Sequence, residues 1–247
     1  MTISTHVAIF ITDYSEFCAD KHGTFAELSA KLLKNSGLQE EIRCYDVIKS
    51  QFPTDDELKD IKAIWITGSR SDAFADEPWI LNLKTFLQDK VLSREDIRLV
   101  GICFGHQIIA RSLGSKVGRN DKGWELTVEP VTINQDEEIQ ELLKDFQGQF
   151  NILESHQDIV YETPKGCKNI GSSKRTESQG FYKKDKILTF QGHPEFTKSF
   201  TEDALEMKLK DGKITQDAYE DAINVLNNNE HHGSKIGEVI VNFIQSV

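Results

Sequence analysis

The sequence predicts an α/β fold with a mostly parallel central sheet, flanked by helices and extended by additional antiparallel strands. In the first half of the 247 residues, short apolar runs alternate with segments of helical periodicity. This alternation is typical of a parallel sheet covered on both faces. Short strand-like runs with tight turns fill the middle of the chain, and helical periodicity follows to its end.

The first predicted elements are a strand, a helix and two further strands. Residues 6–12 form an apolar, β-branched run that suits a buried strand. Thr24 and Glu27 have the spacing of a capping box, and leucines at helical spacing follow them. Strands are predicted over 41–47 and 61–67.

The next elements lead to a cysteine. Asp76-Glu77-Pro78 predicts the cap and the first turn of a helix. A short apolar strand over 97–101 runs into Cys103, and the helix that continues over 108–113 stops at Gly114.

The second half is predicted to add short strands and then three helices. The strands cover 124–133, 150–153, 169–173, 179–183 and 186–191, and the helices cover 201–210, 215–226 and 237–247. Because no internal repeat or linker is visible, we expect one domain over 1–247, with a helical C-terminal extension from about residue 200.

Charge and cysteine usage exclude several function classes. A net charge of −11 disfavours nucleic acid and anionic membranes as partners. We see no signal peptide and no apolar run long enough to span a bilayer. The four cysteines are scattered, which argues against a zinc site or a disulfide framework and favours a cytoplasmic protein.

The sharpest local motif is Gly101-Ile102-Cys103-Phe104-Gly105, between a predicted strand and a predicted helix. It has the form of a nucleophile elbow with cysteine at the nucleophile position. The glycines allow a strained turn between closely packed elements, and the helix N-terminus is expected to favour the thiolate of Cys103. The Phe104 N–H is predicted to donate to an oxyanion, with a second donor at Gly68-Ser69.

Two histidines are candidates for the base that a thiol nucleophile needs. His193 follows a predicted strand, and Glu195 two residues later could orient its imidazole. His156, in Glu154-Ser155-His156-Gln157-Asp158, also follows an apolar strand. Spacing alone does not choose between them.

These motifs together resemble the class I, or triad, glutamine amidotransferases. Gly101 to Gln107 (GICFGHQ) matches the family's G-x-C-x-G-x-Q, and His193-Pro194-Glu195 matches its H-P-E. Ser155-His156-x-Asp158 resembles the S-H-x-D segment of the GMP-synthetase branch. The resemblance implies a flavodoxin-like glutaminase fold and a Cys103–His193–Glu195 triad, which settles the choice of base.

The resemblance also implies a substrate site. Gln107, with the backbone near Ser155 and His156, would hold the glutamate end of the substrate, and Gly68 would help to form the oxyanion hole. From their loop positions, we predict four residues at the edge of the pocket: Arg70, Asp72, Phe74 and Trp124.

Two departures refine the resemblance, and a third position argues against a related family. Thr67-Gly68-Ser69-Arg70 stands where many glutaminase domains carry G-G-P, and Gly123-Trp124-Glu125 replaces a REFG- or EYG-type strand. Both look more like the stand-alone eukaryotic members, including the plant γ-glutamyl peptidases and their fungal relatives. Phe104 occupies the place where intracellular-protease-type cysteine hydrolases carry histidine.

The expected function is cleavage of a γ-glutamyl amide, in glutamine or a γ-glutamyl peptide, through a thioester on Cys103. We expect no metal or organic cofactor, because a thiol, a base and two backbone donors suffice for acyl transfer. The alternative is a glutaminase subunit that delivers ammonia to a separate synthetase partner. A binding protein without activity is disfavoured, because Cys103, His193 and Glu195 are all present.

Overall fold

A computed structural model describes residues 5–14 and 20–246 of the protein. Its strands, in chain order, are β1 (His6–Ile11), β2 (Glu41–Asp46), β3 (Ile61–Ile66), β4 (Arg98–Ile102), β5 (Val117–Arg119), β6 (Glu125–Ile133), β7 (Gln149–His156), β8 (Asp158–Val160), β9 (Lys168–Asn169), β10 (Gly171–Ser172), β11 (Phe181–Lys183) and β12 (Ile187–Phe190). Its helices are α1 (Phe25–Asn35), α2 (Pro78–Phe86), α3 (Phe104–Ser112), α4 (Glu137–Leu142), α5 (Lys198–Lys210), α6 (Gln216–Asn228) and α7 (Gly233–Gln245).

The central sheet has seven strands in the order β2-β1-β3-β4-β12-β11-β9. The pairings from β2 to β12 are parallel, whereas β11 pairs antiparallel with both β12 and β9. The predicted α/β class, with a mostly parallel sheet and antiparallel additions, is therefore confirmed. Strand β3 is apolar along most of its length because both faces of the sheet are covered.

Helices bury apolar stripes on the two faces of this sheet. On one face, α2 and α3 pack Ile80, Leu83 and Ile108 into a cluster with β3 and β4. On the other, Leu33 of α1 and Ile240 of α7 belong to a second cluster. The predicted capping box starts α1: the Glu27 N–H donates to Thr24 Oγ1 (3.2 Å) and the Thr24 N–H to Glu27 Oε2 (2.7 Å).

A smaller antiparallel sheet places the end of β7 beside the end of β12. Strands β10, β6 and β7 form this sheet, with Glu125 opposite His156. The His193 N–H, just after β12, donates to the carbonyl of Leu153 in β7 (2.7 Å). Strands β5 and β8 form a separate two-stranded ribbon.

Three sequence-based expectations differ in detail from the structure. The strand predicted over 169–173 is divided at Ile170, so that β9 joins the central sheet and β10 the smaller one. Asp76 does not cap α2, because its carboxylate pairs with Arg111 and the N-cap is Glu77. Helix α7 starts at Gly233, four residues before the predicted 237.

Cys18 lies outside the described residues. Within the described part of the chain, no helix is long and apolar enough to cross a membrane.

Candidate active site

Cys103 sits on a strained turn between β4 and α3. Its φ of 52° and ψ of −102° fall in a region that residues other than glycine rarely adopt. A Cβ on Gly105 would lie 2.3 Å from the Ile66 carbonyl oxygen, and one on Gly101 would lie 2.6 Å from the Gly105 carbonyl carbon. The two glycines therefore allow the close packing of strand and helix that holds this turn.

The resting charge of Cys103 depends on opposing effects on its pKa. Burial, followed by the negative charges of Glu154 and Glu195, raises the pKa of the Cys103 thiol, and the Phe104 N–H opposes them only in part. The Phe104 N–H at the helix N-terminus therefore favours the thiolate, as predicted, but burial and the two carboxylates outweigh its effect on the pKa. The sulfur needs a nearby base at the moment of attack.

His193 is held in one orientation by its surroundings. Its Nδ1 lies 2.8 Å from Glu195 Oε1, and both side chains are buried. The Phe196 ring stacks on the imidazole at 3.8 Å between centroids and 8° between planes. A Cβ on Gly68 would lie 2.7 Å from His193 Cε1, so the glycine leaves room for the ring. With Nδ1 bonded to Glu195, Nε2 is the nitrogen left to exchange a proton.

Cys103 and His193 line the same cleft, which has a volume of about 480 Å³. Its polar lining includes Arg70, Asp72, Arg119 and Asp158. Helix α5 and residues near it contribute apolar and aromatic side chains and two lysines: Phe25, Trp124, Phe196, Phe200, Ala204, Met207, Lys208 and Lys213. A volume of this size suits a ligand larger than a single amino acid.

His156, the rival base, is bound in a buried cluster of charges. Its Nε2 lies 3.1 Å from Glu125 Oε2 and 3.2 Å from Glu154 Oε2, and its Nδ1 contacts the Asp158 carbonyl (2.9 Å). Burial lowers the pKa of His156, but the bonds to Glu125 and Glu154 outweigh burial and raise the pKa to about 10. An imidazolium held between two carboxylates cannot accept a proton near neutral pH.

The three predicted substrate-binding residues all line the cleft. Gln107 Nε2 donates to the Asp158 carbonyl (2.9 Å) and to Gln191 Oε1 (3.0 Å), which fixes its amide. Lys208 Nζ donates to Ser155 Oγ (2.8 Å). His156 joins them from the end of β7.

The predicted oxyanion donors lie on neighbouring elements. Phe104 is the first residue of α3, where the backbone N–H has no partner within the helix. The Gly68 carbonyl accepts a hydrogen bond from Thr12 Oγ1 (2.9 Å), which ties the loop after β3 to the end of β1. Both residues therefore have a fixed backbone.

The pocket-edge prediction is right for three residues and wrong for the fourth. Arg70, Asp72 and Trp124 line the cleft. Phe74 lies outside its lining, near Arg119, whose Cζ is 6.0 Å from the ring centroid. The loop after β3 places only its first residues toward the cleft.

The α5 wall of the cleft was missed at the sequence level. Phe200, Ala204, Met207 and Lys208 repeat at helical spacing, a pattern typical of any amphipathic helix. Only the packing of α5 beside His193 shows that this face lines a cleft. Within residues 5–14 and 20–246, no group of three or more His, Cys, Asp or Glu side chains is arranged to hold a metal ion.

Comparison with known proteins finds relatives over most of the chain. A family model described as glutamine amidotransferase class-I matches residues 18–210. YLR126C of Saccharomyces cerevisiae, a glutamine amidotransferase by provisional name, is 37% identical over 86% of each chain. γ-Glutamyl peptidase 4 of Arabidopsis thaliana is 31% identical over 97% of this chain and 95% of its own.

The fold also resembles solved structures. A glutamine amidotransferase from Thermotoga maritima superposes with a TM-score of 0.72 and 19% identity, over 98% of this chain and 99% of its own. At that identity the likeness concerns the fold, and it agrees with the class assigned from the strand order.

Proposed function

The chain belongs to the class-I glutamine amidotransferase family, and from that premise we propose that it is a cysteine-dependent hydrolase of γ-glutamyl amide bonds. The observation that carries the proposal is one cleft lined by Cys103 on its strained turn and by His193 bonded to Glu195. A nucleophile, a base and an orienting carboxylate are the groups that acyl transfer requires.

The first half-reaction acylates the enzyme. His193 Nε2 takes the thiol proton as Cys103 Sγ attacks the γ-carbonyl carbon, and the N–H groups of Phe104 and Gly68 stabilise the oxyanion. His193 then gives that proton to the leaving nitrogen. The C–N bond breaks, an amine leaves, and a γ-glutamyl thioester remains on Cys103.

The second half-reaction releases glutamate. His193 takes a proton from water, whose oxygen attacks the thioester carbonyl, and the departing sulfur recovers the proton from His193. Glu195 stabilises the imidazolium formed in both halves. Gln107, Ser155 and His156 are proposed to hold the glutamyl end of the substrate. The raised thiol pKa supports this order, in which proton transfer accompanies attack.

The cleft favours a leaving group larger than ammonia. Its volume of about 480 Å³ exceeds the need of glutamine, and Lys208 and Lys213 line it together with apolar side chains of α5. An amino acid or peptide leaving group carries a carboxylate and side chains that match such a wall. Similarity to γ-glutamyl peptidases over nearly the whole chain supports the same choice.

The test is release of glutamate from glutamine, glutathione and γ-glutamyl dipeptides by the purified chain, with C103S alongside. We expect turnover of the peptides to exceed that of glutamine and to vanish in C103S. Peptide turnover that persists in C103S would contradict the assignment of the nucleophile.

A second candidate function is a glutaminase subunit that supplies ammonia to a separate synthetase. The similarity to a relative named as a glutamine amidotransferase favours it. This function predicts no peptide turnover, modification of Cys103 by a glutamine-mimicking electrophile, and capture of a synthetase from the native cell extract. Full peptidase activity of the isolated chain would contradict it.

A further inference from the structure

A second cavity of about 470 Å³ lies beside the catalytic cleft, between β6, α6 and the turn at residues 173–176. Trp124 and Lys213 belong to the walls of both cavities. The second cavity therefore begins where the cleft ends.

Helix α5 forms a continuous wall from the base to this boundary. At one end, Phe200 packs on Phe196 (4.1 Å between centroids), which stacks on His193. At the other, Lys208 Nζ lies 5.3 Å from the Trp124 ring centroid. From residue 200 to residue 208 the helix rises about 12 Å, at about 1.5 Å per residue. An extended peptide covers that length in about four residues, at about 3.3 Å each.

The chemistry of the second cavity suits the carboxyl end of a peptide. Three cations line it, Lys122, Arg175 and Lys213, in a chain whose net charge is −11. Apolar side chains line it as well: Leu126, Ile214, Ala218, Ala222 and Val225. Glu129 and Asp221 are its acidic members, and burial raises the pKa of Glu129. A chain with apolar side chains and a terminal carboxylate complements this lining.

The wall of the second cavity contains a strained residue, Thr127. It lines the wall, is 3% exposed, and has a φ of 63°, which is strained for a β-branched residue. Its buried Oγ1 has no hydrogen-bond partner among the described residues. A buried hydroxyl without a partner is costly, and this cost adds to the backbone strain at this position of the cavity wall.

We propose that this second cavity is an extended leaving-group subsite for γ-glutamyl oligopeptides. It binds the part of the leaving peptide beyond about its fourth residue and places the terminal carboxylate near Lys122 and Arg175. The inference rests on the proposed function and deepens it, because it names long γ-glutamyl peptides as the favoured substrates.

The test compares kcat/KM for three substrates: γ-glutamyl-alanine, γ-glutamyl-pentaalanine and γ-glutamyl-pentaalanine amide. Each is assayed with the wild-type chain, R175Q, the double variant K122Q/R175Q, and K174Q as matched control. Lys174 is exposed and lies beside Arg175 in the chain but outside the cavity lining.

We expect the wild-type chain to prefer the pentaalanine acid over both other substrates by about fivefold, the size of one exposed charge contact. R175Q and the double variant should lose this preference and should keep the wild-type kcat/KM for γ-glutamyl-alanine. K174Q should keep the preference and the wild-type kcat/KM for γ-glutamyl-alanine. Equal rates on all three substrates by the wild-type chain would overturn the subsite and leave the hydrolase intact. Failure to hydrolyse any of them would overturn the proposed function, and the subsite with it.

Discussion

Individual side chains determine whether His193 can serve as the base. Glu195 bonds its Nδ1, Phe196 covers one ring face, and Gly68 leaves room at Cε1. The H-P-E motif predicts the first of these contacts, because the carboxylate lies two residues away. The packing against Gly68 involves a loop more than a hundred residues earlier in the chain, and no local sequence pattern predicts this contact.

The stacking of Phe196 on the His193 imidazole is expected to affect the rate of catalysis. F196L removes the ring that lies 3.8 Å from the imidazole and keeps an apolar side chain. Aromatic pairs contribute about 0.5–1.5 kcal/mol, so we expect kcat to fall about two- to tenfold with a changed pH profile and little change in KM. Steady-state kinetics across pH measures this.

F200L is the matched control, because Phe200 lines the cleft and touches Phe196 but belongs to α5. It should affect KM more than kcat. If F196L and F200L behave alike, the stack does not position the base.

The pKa of the Cys103 thiol depends on residues that the local motif does not include. The elbow motif predicts the helix N-terminus at the sulfur, which the structure has. It gives no sign of Glu154, which β7 places near the thiol and whose charge helps to raise the thiol pKa. Burial and long-range charge are tertiary effects, and they outweigh the local helix terminus here.

At the scale of elements, the pairing of β6 with β7 creates the buried charge cluster. Glu125 lies opposite His156 in the register, and Ser173, Thr176 and Gln179 donate to the Glu125 carboxylate. The sequence predicts both strands. It does not predict their register, because pairing between strands is a tertiary contact without a local sequence signal.

The cluster makes stability depend on pH. His156 has a folded pKa of about 10, above its ordinary 6.5, so its stabilising contribution is full below pH 6.5 and is lost as the pH rises toward 10. Burial raises the pKa of Glu125. The hydrogen bonds from His156 and from its other donors outweigh burial and lower the pKa to about 2. Its contribution is therefore present above pH 4.5 and is lost as the pH falls toward 2.

We therefore expect H156Q to lower the free energy of unfolding by about 3–5 kcal/mol near pH 6, the cost of breaking a buried ion pair. The deficit should shrink as the pH approaches 10. Urea denaturation at several pH values measures it. H106Q is the control: burial lowers the pKa of His106 to about 3, so folded His106 stays neutral from pH 6 to 10. The deficit of H106Q in unfolding free energy should therefore not shrink as the pH rises over that range. A deficit for H156Q that is the same at pH 6 and pH 9.5 would contradict the charged cluster.

The elements were predicted best where local signals are strong. The capping box at Thr24 and the strand before Cys103 agree with the structure, because propensity and pattern point the same way. The division of residues 168–172 between two sheets was missed. A Cβ on Gly171 would lie 2.4 Å from the Thr132 carbonyl oxygen, and such a close approach between strands has no local sequence signal.

At the scale of the whole molecule, the strand order brings distant motifs to one edge of the sheet. Strands β4 and β12 are parallel neighbours, so Cys103 and His193, which follow their carboxyl ends, meet there. The sequence predicts that meeting through family resemblance, since spacing alone left His156 as a rival. The α5 side of the cleft was not predicted, because its residues have the ordinary pattern of an amphipathic helix.

In the proposed mechanism, catalysis passes through a γ-glutamyl thioester on Cys103. The most direct test of this step is mass spectrometry of the acid-quenched protein during turnover of a γ-glutamyl peptide, followed by peptide mapping. We predict an adduct of one glutamyl group on the peptide that contains Cys103, which is abolished in C103S and accumulates in a variant with slow deacylation. Continued turnover without such an adduct, or an adduct on another residue, would contradict the proposed role of Cys103.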